Sequence, residues 1–318
     1  NQLSSTQVRG LTTAQLVTLT TAALASLNTN AVAGLTTSQV IALTTTQVAG
    51  LTTTAAMVLT TAQIAAMETV DVAVLKDANI AALSSVQVRA LTTLQIVGLT
   101  TAQISALNTT TLQALTTRQI AALETEDVSL LGSTKVTSLS STQLRALNTL
   151  QVAQLTSAQL IGLGSTLLSQ LQASQLTGLN TANLNGLASA SLGALTSAQV
   201  GALTTDQVVN LTTTALSYLS TRGISGLNTS QILAMTTTQL TSLTSTKMMA
   251  MSGTQLGSLE IGDFAILGAT NLGSFSAAQV RGLTTTQLSN LSTTALSNLN
   301  TSAIAGMTTV QIVALTTT

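Results

Sequence analysis

Any chemistry in this chain has to come from carboxylates, amines and hydroxyls, because it holds no histidine, cysteine or tryptophan. Three acidic groups are close enough in sequence to share a cation: Glu68 with Asp71, Glu124 with Glu126 and Asp127, and Glu260 with Asp263. Calcium takes about six to eight oxygens, usually around a glycine turn. Two or three carboxylates without an Asp-rich glycine loop fall short of that. The simpler expectation is a helix-cap variant, Glu at the N-cap and Asp three residues on, marking the end of a module. Serine and threonine hydroxyls are abundant, but no imidazole exists to activate one as a nucleophile. The residue types therefore predict no catalytic residue, no metal ligand and no cofactor-binding residue, and a chain that is not an enzyme.

The charged residues, nine of each sign, carry a pattern. Asp71 precedes Arg89, Asp127 precedes Arg145, and Asp263 precedes Arg281, always at one and the same interval. Asp206 with Arg222, and Lys247 with Asp263, share a slightly shorter one. Read as inter-layer ion pairs, these spacings predict a layer of about two eight-residue units. Such exposed pairs would contribute less than ~1 kcal/mol each and would act mainly as register marks.

The element that must position them is an octad. From Leu3 to Ala314 the chain divides into 39 consecutive eight-residue units with no insertion or deletion. The unit reads L-T-T-a-Q-[VIL]-x-small. Position 1 is Leu apart from four Met and Phe275, and position 6 is aliphatic apart from Ala56, Met248 and Phe264. One long helix would rotate this apolar stripe by about 80° per octad, and one long strand would place positions 1 and 6 on opposite faces. The chain must turn inside every unit. Position 2 (Thr, Ser or Asn) followed by Gln at position 5 is a capping box, as at Thr12/Gln15, Thr36/Gln39, Thr100/Gln103, Ser140/Gln143 and Asn228/Gln231. The following x-[VIL]-x-Ala-Leu favours helix. The expectation is an all-α solenoid with one helix of about one and a half turns per octad, stacked cooperatively because helices this short do not stand alone. Thr ladders in a β-solenoid are the rival architecture. They would offer an ice-binding face, but the Ala and Gln content and the capping box weigh against them.

Larger units recur as well. Residues 67–80, 123–136 and 259–272 are variants of one another, each followed by an S-[SA]-x-Q-[VL]-R octad, and that octad also opens the chain at residues 4–9. Residues 1–318 thus read as a single continuous repeat solenoid, expected to be a fragment or protomer of a longer array. Zero net charge with 6% charged residues argues against a nucleic-acid partner. No apolar run approaches the ~18 residues of a transmembrane segment. A neutral surface rich in Thr and Ser favours association between copies, both end to end and lateral. The sequons at Asn108, Asn210, Asn228, Asn290 and Asn300 arise from the repeat itself.

The octads at Leu59–Met67, Leu99–Leu107 and Leu115–Leu123 (L-T-T-[AR]-Q-I-[AS]-A-[LM]) resemble repeats of long secreted surface proteins of Gram-negative bacteria, of the type-I-secreted adhesin or matrix kind. The calcium-binding G-G-x-G-x-D nonads of such proteins are absent from this sequence. The resemblance implies a non-catalytic extracellular or cell-surface protein serving as filament, stalk, sheath or surface-layer element. The alternative is a repetitive binding module that presents an adhesive, ice-binding or polysaccharide-binding face.

Overall fold

The computed structural model describes residues 3–315, the side chains of residues 268–270 aside. Secondary structure among the described residues is helical throughout: 37 short α-helices and one 3₁₀ stretch, Leu272–Ser274, with no strand. The chain forms two compact units, Asn1–Leu155 and Thr156–Thr318.

Each octad folds as its capping chemistry dictates. Positions 3 to 7 or 8 form the helix, as in Thr37–Ile41 and Thr117–Ala122. Position 1 is extended (Leu115 φ −58°, ψ 137°), and position 2 is the extended N-cap (Thr116 φ −70°, ψ 160°). All five capping boxes named from sequence form, with the Thr12 N–H donating to Gln15 Oε1 at 2.9 Å. Glu68 and Glu124 do occupy N-cap positions, but their side chains make no cap hydrogen bond. That part of the acidic-cap reading is corrected: at Glu68 and Glu124 the carboxylate marks the site without closing it.

Within each unit helices pack on the helix three octads further on, as Thr37–Ile41 does on Thr61–Ala66 and Thr205–Val209 on Thr229–Ala234. One turn therefore holds three repeats, and the expectation of two repeats per turn is wrong. The charge spacings misled because five of the nine residues that set them stand at positions 4 and 7, which vary from octad to octad. What sets the turn is close contact. A Cβ on Gly226, at position 8, would lie 2.2 Å from the Ser197 carbonyl oxygen, and one on Gly98 would lie 2.2 Å from Thr69 Cγ2. Position 8 is small because it meets position 3 of the previous turn.

Positions 1 and 6 form the core of each unit: Leu115 and Ile120 are 3% and 0% exposed, and Leu219 and Ile224 are 1% and 0%. Burial is lost at Ile304 and Ile312, both in the last described turn, so the column is not buried along the whole chain. Position 4 faces solvent, as at Leu94 and Leu150. One backbone feature stands apart. Gly164 fills an N-cap position with φ 62°, a left-handed conformation that favours glycine, and joins two helices into the kinked segment Ser157–Leu168.

Leu115→Ala should lower stability by ~2–5 kcal/mol through the cavity it leaves, whereas Thr110→Ala at exposed position 4 should be close to neutral. Urea titrations of the two variants check this. Gly226→Ala should destabilise through contact with the Ser197 backbone, while Gly132→Ser, where nothing lies within 4 Å, should not.

Candidate functional site: an inter-turn glutamine ladder

The most elaborate recurring polar arrangement lies between turns. A helix of five or six residues leaves most of its backbone groups without an intrahelical partner. Gln119 shows how the octad closes both ends. Its Oε1 accepts from the Thr116 N–H at 2.8 Å, completing the capping box of its own helix. Its Nε2 donates to the Val88 carbonyl at 2.9 Å and to the Leu91 carbonyl at 2.7 Å, in the preceding turn. Val88 ends the core of one helix and Leu91 is the junction to the next, so one amide closes a helix start and a helix end together. Gln119 is 3% exposed, which makes these groups costly to leave unpaired.

The same pair of bonds to the previous turn recurs in both units. Gln39 makes them to Val8 and Leu11, both at 2.8 Å, and Gln95 to Ile64 and Met67 at 2.8 and 2.7 Å. In the second unit Gln207 reaches Leu176 and Leu179 at 2.8 and 2.6 Å. At several sites where Gln is replaced, the carbonyls are met in another way. Asn79 Nδ2 donates to Leu51 at 3.1 Å. Ala31 has no amide to offer the Leu3 carbonyl, and Asn28 at the N-cap donates to it instead at 3.2 Å. Asn300 does the same for Phe275 beside Ala303, at 2.9 Å. Lys247 Nζ donates to the Leu216 and Ser217 carbonyls, and Lys135 Nζ to Ser105. Burial pulls the Lys247 amine below the usual lysine range.

The residues read as ion pairs are placed by the same geometry. Their partners stand two octads apart, while stacked helices stand three apart. Arg89 Nε donates to the Ala114 carbonyl at 3.2 Å, and Arg281 Nε to Gly306 at 3.3 Å, each in the following turn; Arg9 does the same at Gly34. Asp206 and Arg222 are exposed, on helices Thr205–Val209 and Thr221–Ser225. Arg145 lies on Ser141–Ala146, and Asp263 is partly buried on Ile261–Asn271. Asp71 and Asp127 occupy the Gln position and are each 2% exposed. Burial, then the nearby Glu68 or Glu124 carboxylate, pushes both above the usual Asp range. Among the described residues no three or more acidic side chains converge on a possible metal site. A cleft of about 550 Å³, lined by Ala25–Thr29 and residues 52, 54 and 55, carries no titratable side chain. No described helix is long and apolar enough to cross a membrane.

The model of the ALTTAQ repeat matches residues 8–45, 19–53, 64–101, 96–133, 120–157, 176–213 and 256–293, well over half of the chain. The chain belongs to the ALTTAQ repeat family. No curated protein matches it. The six letters of the ALTTAQ repeat map onto the geometry in order: the small residue of the helix contact, the core Leu, the N-cap Thr, the first helical Thr, the exposed Ala and the bridging Gln.

Sequence reasoning placed Gln in the capping box but missed its second role. The signal was present. A capping box accepts Glu as readily as Gln, yet Gln fills position 5 in 21 of 39 octads and Glu in none. Only the amide donates as well as accepts.

Gln119→Met should cost ~1–3 kcal/mol, the penalty for orphaned buried groups. Gln119→Glu should cost more at neutral pH, because a carboxylate would face the Val88 and Leu91 carbonyls, and should recover on acidification. Denaturant titration at two pH values checks both.

Proposed function

We propose that this chain is a non-catalytic structural repeat protein of the cell exterior, an element of a filament, stalk, sheath or surface layer. The observation that carries this reading is the self-complementarity of the turn. Every turn presents carbonyls to the turn after it and glutamine amides to the turn before it, in one geometry within each unit. Such a unit propagates by repetition alone, needing no special partner. Lateral association between copies is favoured by a surface of zero net charge and many hydroxyls.

The residue chemistry supports the non-catalytic part. The chain has no imidazole or thiol, and its most buried carboxylates, Asp71 and Asp127, serve positions inside the repeat. The extracellular setting rests on the resemblance of the octads to repeats of long secreted bacterial surface proteins, together with a cysteine-free sequence.

Sedimentation and electron microscopy of the purified chain across protein and salt concentrations test this. The expected outcome is elongated assemblies whose formation changes little with salt, since few charges are available for screening. A persistent monomer at high concentration would overturn it.

A further inference from the structure

Asp127 stands where the ladder calls for an amide. Its Oδ2 is buried and has no hydrogen-bond partner, in a helix, Thr125–Leu130, that packs on Thr101–Ala106 and Thr149–Ala153. The ladder makes the Leu99 carbonyl its counterpart, since Gln103 bonds Leu75 and Gln119 bonds Leu91 across the same interval. An ionised carboxylate there sets oxygen against oxygen. A side chain of this length does reach: Asn79, at the same octad position, donates to Leu51 at 3.1 Å. Asp71 repeats the substitution in the helix Thr69–Ala73, with Leu43 as its counterpart.

We propose that Asp127 and Asp71 are proton-operated clamps between turns: each carboxyl, when protonated, donates its O–H to its counterpart carbonyl in the previous turn, Leu99 or Leu43, and each bond is lost on ionisation. The surroundings favour the proton. The helices packed on the helix of Asp127 carry no titratable side chain, and neither do Thr45–Ala49 and Thr93–Val97, which pack on the helix of Asp71. On its own element Asp127 has Glu124 and Glu126, both raising its pKa after burial, against a lowering hydrogen bond from the Glu124 backbone. Asp71 has Glu68. The sign follows from raised values in the folded state: the stabilisation is complete below the ordinary Asp range and fades as pH rises through the raised pKa. A clamp of this kind loosens the repeat stack at those two octads and leaves the bridges of the Gln octads in place.

Hydrogen exchange of the full chain, read by mass spectrometry on peptides covering residues 93–107 and 120–131 and corrected for intrinsic rates, tests the clamp. Protection should fall by up to about tenfold per pH unit as pH rises through the raised pKa, in a series from about pH 4 to about pH 7.5. Asp127→Asn, an amide the fold already accepts at Asn79 and Asn183, should hold that turn at the protected level throughout. The exposed control Asp77→Asn should leave the wild-type profile unchanged. A flat wild-type profile, or an Asp127→Asn chain less protected than wild type at every pH, would overturn the proposal. So would recovery of neutral-pH protection on adding sodium or calcium chloride, which would make the occupant a cation instead of a proton.

Discussion

Everything in this structure follows from helices too short to satisfy their own backbones. An α-helix of five or six residues has more orphaned N–H and C=O groups than closed ones, and alone it would melt in water. The octad meets this with one side chain. The glutamine amide turns its oxygen to the start of its own helix and its nitrogen to the end of a helix in the turn before. Core leucines supply the apolar burial, but they do not fix which turn lies on which. The two-sided amide does, together with the small residue at position 8 that lets the backbones close up.

This explains what the sequence disclosed and what it hid. The capping box at Thr36/Gln39 and the restart at every position 2 are local, decided within four residues, and were legible as helix boundaries. The columns at Leu115 and Ile120 were legible because burial follows residue type. The three-repeat turn was not. It depends on the bond from Gln119 back to Leu91, and nothing within one octad states that interval. The charged residues seemed to state it. Yet Arg89 turns to the Ala114 carbonyl of the following turn, and Asp206 and Arg222 are free at the surface to take any spacing.

Departures from the consensus carry their own logic. At Ala31 and Ala303, which lack an amide at position 5, the carbonyl it would have met is taken up by another donor, Asn28 and Asn300 respectively. Lys135 and Lys247 reach the same row of carbonyls with an ammonium group. These exchanges identify what the position must supply, which is a hydrogen-bond donor directed to the previous turn. They also set Asp71 and Asp127 apart, since a carboxylate supplies one only while protonated.

The three-repeat turn has a mechanical consequence. Force applied along the stacking direction of a unit loads the bridges of several octads in parallel, because each turn is tied to the one before it through up to three separate amides, as by Gln87, Gln95 and Gln103. Force that draws the chain off sideways meets them one at a time, a few hydrogen bonds per octad. A unit should therefore resist stretching along its stack more than unzipping, an anisotropy built into the position-5 glutamines.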